Sequence, residues 1–231
     1  MTHHALCIGI DGCPAGWIAV SRGACYIAQD LAMLLERIRP DIVALDMPIG
    51  LADNGPRACD QAARRLLGRP RGSSVFPTPT RAALAGRTHV EASDLNAAAC
   101  GKRISAQTYH LLPKIREVDL LLCESPYWCA RVFETHPEVS FAHMNGGAAI
   151  TESKKTRAGR ARRQALIATF FDQTSYPVAR NAVRRRDAAD DDMADAFACL
   201  FTAERIAGSA HTTLPAEPGI DAQGLPMQIC Y

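Results

Sequence analysis

A chain of 231 residues is long enough to bury a core of its own and suits one enlarged domain, 1–231, better than two small ones. Its net charge of +2 does not by itself argue for a nucleic-acid partner, and no apolar run approaches the length that would span a membrane. Nine cysteines are scattered without a Cys-x-x-Cys pair and no signal peptide precedes the first strand, so they read as reduced thiols of a cytoplasmic protein.

Leu6, Cys7, Ile8, Gly9 and Ile10 form an apolar run of strand length that ends on Asp11. An acid there costs free energy unless it is paired, hydrogen-bonded or bound to a metal. Gly12 to Gly16 reads as a tight turn, Trp17 to Ser21 as the returning strand, and Ala24 to Ala28 as a third antiparallel strand beyond Gly23. For Asp11 alone, a solvated turn aspartate is the plain alternative. Asp30 predicts the N-cap of a helix with apolar positions at Leu31, Leu34, Leu35 and Ile38, stopped by Pro40. The next strand, DIVALD, again ends on a carboxylate, Asp46. A right-handed crossover would lay it parallel to the first strand, and neighbouring strands are about 4.8 Å apart, so Asp11 and Asp46 can share one cation or two.

From Ala52 to Cys129 the pattern changes to helices and polar loops, an insertion into the sheet domain. Arg57 to Leu67 predicts a helix, Gly68 to Arg81 an ordered loop, and Ile104 to Leu122 a helix kinked or broken at Pro113. Ser73, Ser74 and Arg81 in that loop can donate to a phosphate or a carboxylate; the other reading is a loop clamped by Phe76 and its prolines.

Arg131 to His136 predicts a strand with Glu134 and His136 on one face, followed by a short helix opened by Pro137 and Glu138. Glu138 suits the helix dipole. Glu134 stands near a strand end as Asp11 and Asp46 do and is the better site candidate, while His136 reads as orienting or structural. Between Ser153 and Arg163, six basic residues occur without one acid, either a solvated face or a track for phosphate, and Arg184, Arg185 and Arg186 form a second basic cluster. A last helix starts among Asp187, Asp190, Asp191, Asp192 and Asp195 and carries the stripe Met193, Ala196, Phe197, Leu200 and Phe201. Asp192 and Asp195 share a side and repel by a few tenths of a kcal/mol. The dipole compensates the first turn; a bound divalent cation would compensate both. Gly219 to Tyr231 ends in a closing strand.

Three antiparallel strands, a helix, a strand with an acid, a helical insertion, a further strand with an acid and a final helix bearing Asp-x-x-Asp resemble the RNase H-like fold: an α/β mixed five-stranded sheet flanked by helices, with the insertion at 52–129 after the fourth strand. The last helix is similar to the final acidic helix of Holliday-junction resolvases. The motifs I-D-G-C-P-x-G-W, D-M-P-I-G-L, S-S-V-F-P-x-P-x-R, L-L-P-K-I-R-E-V-D, H-P-E-V-S-F and S-K-K-T-x-x-G resemble the domain of unknown function 429 family, predicted RNase H-like nucleases, from Asp11 to about Asp195. The resemblance implies a catalytic metal site of Asp11, Asp46 and Asp192 or Asp195, with Glu134 as a further candidate. It implies two magnesium or manganese ions, which suit hard oxygen ligands, and phosphodiester hydrolysis. Lys154 or Lys155 would contact the substrate phosphate, and nucleic acid would lie along 154–163. A scaffold without turnover, a phosphotransferase and a hydrolase of small phosphorylated substrates are the competing expectations.

Overall fold

The computed structural model describes residues 5–231. Residues 1–4 lie outside the described residues, and with them the reading that no signal peptide precedes the first strand. Strands β1 (Cys7–Cys13), β2 (Gly16–Ser21) and β3 (Ala24–Ala28) form an antiparallel meander. Helix α1 (Leu31–Ile38) crosses over to β4 (Ile42–Leu45), which lies parallel to β1. Asp30 Oδ1 accepts from the Met33 amide at 2.8 Å, the expected N-cap, and Arg39 in the left-handed region ends the helix before Pro40.

The chain then leaves the sheet through α2 (Ala58–Arg71), α3 (His89–Cys100), α4 (Ala106–Glu124) and α5 (Pro126–Cys129) before returning as β5 (Val132–Glu134), parallel to β4. The sheet order β3-β2-β1-β4-β5 with flanking helices is the RNase H-like α/β arrangement expected from the sequence. Helices α6 (Pro137–Met144), α7 (Arg157–Phe171), α8 (Ser175–Ala182) and α9 (Asp190–Ala207) follow. A hairpin of β6 (Thr213–Ile220) and β7 (Pro226–Cys230) closes the chain and touches the main sheet through a Thr135–Cys230 bridge. None of the described helices is long and apolar enough to cross a membrane.

Four local expectations need correction. β1 does not stop at Asp11: that residue pairs with Ile18, and the turn is confined to Pro14 and Ala15. The parallel register with β4 does stop there, at Ile10 opposite Leu45, so Asp11 is held by β2 where its other neighbour strand has ended. α2 extends past Leu67 through a kink at Gly68, whose φ of 58° suits glycine. α4 passes through Pro113 unbroken, and the single closing strand is a hairpin.

Side chains alternate across the sheet with period two. Ile8, Ile10, Trp17, Ala19, Val43 and Leu45 pack toward α1 and α4, while Cys7, Ile18, Val20 and Ala44 pack toward α9 and its neighbours. Gly9 lies on the α9 side, where a Cβ would come within 2.0 Å of the Leu200 nitrogen and 2.2 Å of the Ala196 oxygen. A bare backbone at this position lets α9 settle directly on β1. From Gly9 to Asp11 the strand advances about 6.6 Å, and from Cys199 back to Asp195 the helix retreats about 6 Å. Asp195 therefore comes to lie over Asp11.

Candidate metal centre

Three elements deliver three carboxylates to one point. Asp11 shares the face of Gly9 and Cys13; Asp46, one residue past β4, follows the face of Ala44; Asp195 comes down from α9. The Asp46 amide donates to the Ile10 carbonyl at 3.0 Å, which sets the two strand-end acids side by side. One oxygen each from Asp11, Asp46 and Asp195 lies within 4.8 Å of the others. Asp195 is 3 % exposed and Asp11 8 %.

Among the described residues a single side-chain cation reaches this trio directly: Lys154 Nζ donates to Asp195 Oδ2 at 2.6 Å. Asp11 Oδ1 accepts from the Gly12 amide at 2.6 Å. Burial first, then Asp46 and Asp195, hold the Asp11 carboxyl well above the usual carboxylate range. Asp46 is pushed up to about 7, by burial and then by Asp195. Burial also raises Asp195, against the pull of Lys154. Burial works against the charge of Lys154, but Asp195, Asp11 and Asp46 together outweigh burial and raise its pKa. One ammonium against three carboxyls, two buried and one half-buried, leaves a deficit of positive charge. Protons fill such a deficit at low pH and a hard divalent cation fills it better, because all three donors are carboxylate oxygens.

The trio opens into a cleft of about 600 Å³. The segment between β4 and β5 supplies much of its wall: Arg71, Ser73, Ser74 and Phe76 from the end of α2 and the loop beyond, and Gln107, Leu111 and Lys114 from one face of α4. Lys114 Nζ donates to the Gly16 carbonyl and sits 4.1 Å from the Trp17 ring centre, and burial lowers its pKa. Ser73 and Ser74 line the cleft, and their hydroxyls donate to the Pro70 and Arg71 carbonyls at 3.0 and 2.7 Å. Asp192 is in the cleft as well, but its Oδ2 accepts from the Ala189 amide at 2.9 Å, so one oxygen caps α9. Of the two aspartates offered by that helix, Asp195 is the one in the trio.

The family model described as a protein of unknown function (DUF429) matches residues 9–219. The chain belongs to the DUF429 family. No curated protein and no solved structure shows a significant match.

Not every candidate of this DUF429 chain comes to the cleft. Glu134 does not. Its register partner is Leu45, so it points to the face opposite Ala44 and Asp46, and Thr135 is the residue level with Asp46. There Arg57 receives it: Nη2 donates to Glu134 Oε1 at 2.7 Å and Asp60 Oδ1 at 2.6 Å, and Nη1 to Glu134 Oε2 at 2.7 Å. Glu134 Oε2 also accepts from the Ile49 amide at 2.7 Å, so it pins the loop that follows Asp46. Arg81 is equally committed elsewhere, to Asp119 at 2.8 Å and to Asp221 at 2.5 Å, and fastens the insertion to the closing hairpin. Lys155 is exposed and lies beside the cleft rather than in it.

Other cleft residues escape sequence reasoning. Glu138, assigned above to the helix dipole, lines the cleft with both oxygens held by Arg163 Nη2 at 2.6 and 2.8 Å. Arg163 belongs to the basic run yet is 1 % exposed, because α7 turns it inward with Gly159, Leu166 and Ile167. His136 also lines the cleft; burial lowers its pKa and its Nε2 lies 3.4 Å from the Ser74 carbonyl. For Lys114 there is a signal: Gln107, Leu111 and Lys114 fall at helical spacing on one face of α4.

Proposed function

We propose that the chain is a cytoplasmic, metal-dependent phosphodiester hydrolase of nuclease-like type, with magnesium or manganese at Asp11, Asp46 and Asp195. The observation that carries this reading is the convergence of three carboxylates, Asp11 and Asp195 buried and Asp46 half-buried, from β1, the end of β4 and α9 at the floor of a cleft, with Lys154 as the only cation bonded to them among the described residues. Bound there, two divalent cations would lower the pKa of an attacking water and stabilise the phosphoryl oxygens. Asp192, with one oxygen spent on the helix cap, has the other for a second ion.

The remaining roles belong to the chain itself. Lys154 is bonded to Asp195 and is the ammonium nearest to a phosphate entering the trio. Lys114 sets a second positive charge on the α4 side of the cleft. Arg163 holds both oxygens of Glu138 in place beside the site, and Glu134 with Arg57 keeps the Asp46 loop in place. A second reading, hydrolysis of a small phosphorylated substrate, is favoured by the insertion wall, since a cleft of 600 Å³ is of small-molecule size.

Manganese titration by calorimetry, on wild type and on Asp11→Asn, tests the site. Saturable binding in wild type that is lost in the variant, together with manganese-dependent hydrolysis of bis(4-nitrophenyl) phosphate, is the expected result. Failure of wild type to bind the ion overturns the reading.

A further inference from the structure

Two basic runs that lie apart in sequence meet on one side of the acid cleft. Lys155 and Arg160 come from the run at 154–163, and Arg185 comes from the triplet at 184–186. With Lys154 they line an open groove of about 340 Å³. Lys154 lines both the groove and the cleft, so the two adjoin at its ammonium.

Four cations in the groove face two carboxylates, Asp190 and Asp191. Arg185 Nη1 is 2.7 Å from Asp190 Oδ2, and Lys154 is 3.9 Å from Asp191 while bonded more closely to Asp195. Lys155 and Arg160 form no ion pair among the described residues. Arg160 Nη1 donates to the Lys155 carbonyl at 2.7 Å, which ties the two together at the start of α7. This placement does nothing for helix stability, because the first turn of α7 has Arg157 and no acid, whereas α9 opens on three aspartates. Two cations without a carboxylate partner among the described residues, Lys155 and Arg160, next to the acid cleft suit a second phosphate.

We propose that the Lys155–Arg160–Arg185 groove is the subsite for the phosphate adjoining the one held at the acids, so that the substrate is a polynucleotide strand rather than an isolated phosphate ester. The proposal rests on the reading of the cleft as a phosphodiester site. What distinguishes a strand from a small ester is the second opening. The cleft and the groove, about 600 and 340 Å³, join at Lys154, and each is of small-molecule size, room for successive nucleotides of one strand rather than for a duplex. Passing from the trio over Lys154, one strand would carry its next phosphate into the groove.

The test is the salt dependence of binding of a fluorescein-labelled twelve-residue oligothymidylate, followed by anisotropy in EDTA so that turnover is blocked. The variants are Lys155→Ala/Arg160→Ala/Arg185→Ala and, with the Arg185–Asp190 pair left intact, Lys155→Ala/Arg160→Ala. Each lost phosphate contact should flatten the slope of log K against log salt by about 0.7, and the triple variant should bind about tenfold more weakly at about 0.1 M salt. In manganese, the ratio of oligonucleotide to bis(4-nitrophenyl) phosphate turnover should fall by about tenfold, because the small diester has only one phosphate. Unchanged slopes in both folded variants, with small-diester hydrolysis present in wild type, would overturn the groove and leave the cleft reading standing. Variant-sensitive strand binding by a wild type that binds no manganese would overturn the cleft reading, and with it the assignment of the groove as the neighbouring subsite.

Discussion

Two carboxylate clusters of this chain have the same spacing and opposite character. Asp11, Asp46 and Asp195 on one side of the sheet, and Cys59, Asp60 and Glu134 on the other, each bring three candidate ligand atoms within 4.8 Å. In the second cluster the Arg57 guanidinium already stands between the acids and also donates to the Ile49 and Gly50 carbonyls at 3.0 and 3.1 Å. Burial alone would lower the pKa of Arg57, but Glu134 and Asp60 outweigh it and raise the value far above the ordinary one. That cluster is complete and its cation is part of the fold. The first cluster has only a lysine on one edge and an opening to solvent on the other. Spacing of acids does not by itself make a metal site; what matters is whether the chain has already supplied the positive charge.

The contrast can be broken most directly at Arg57. Arg57→Met strands two buried carboxylates and should cost about 3–5 kcal/mol in urea unfolding; a cost near zero would mean that the guanidinium is not what holds the cluster. Asp11→Asn should do the reverse. Without metal it removes a repulsion, so the unfolding free energy stays the same or rises, while manganese affinity by calorimetry falls more than about 100-fold, since the loss of a mere ligand-orienting partner already costs 10–100-fold. Equal destabilisation by the two variants would make the clusters alike.

The proton count sharpens the comparison further. Asp46, raised from 3.8 to about 7 by burial and Asp195, binds a proton in the folded chain that the unfolded chain has already lost. Its contribution to stability is therefore full below pH 3.8 and is lost as the pH rises through about 7. Manganese replaces that proton. The gain in melting temperature on adding the ion should accordingly widen between about pH 5 and about pH 8, and a gain independent of pH would count against Asp46 as a ligand. The smallest effect belongs to Lys154. Lys154→Met removes the cation that competes for Asp195, and with a charge-assisted bond worth about 1.5–3 kcal/mol, part of which is returned by solvation of the freed carboxylate, the manganese affinity should rise by at least about tenfold. Weaker binding would show that the lysine supports the ligand geometry instead.

Asp11 and Asp46 were legible in the sequence as candidates because each closes an apolar run of strand length, whereas the last helix offered Asp192 and Asp195 together and only the fold distinguishes them. Glu134 has the same local signature and the opposite outcome. The difference is one residue of register, Leu45 rather than Asp46 as its partner, and in a strand one residue exchanges the two faces. Arg163 likewise reads as one more charge in a solvated run until α7 turns it onto Glu138. Lys155, Arg160 and Arg185 belong to separate runs in the sequence and to one groove in the fold.

By itself the sequence determined the order of the five sheet strands and of the helices α1, α2, α4, α6, α7 and α9, the capped start of α1 and the acids near the ends of buried runs, because alternation, helical periodicity and capping act over a few residues. Helices α3, α5 and α8 and the closing hairpin were not legible in it. Only the tertiary structure decided which acids share a cleft and which already own a cation. Those outcomes depend on the register of strands nearly ninety residues apart, on the bare backbone of Gly9 that seats α9 against β1, and on where Arg57 and Lys154 arrive. Neutralisation of charge is set by distances in space, and no local pattern along the chain encodes them.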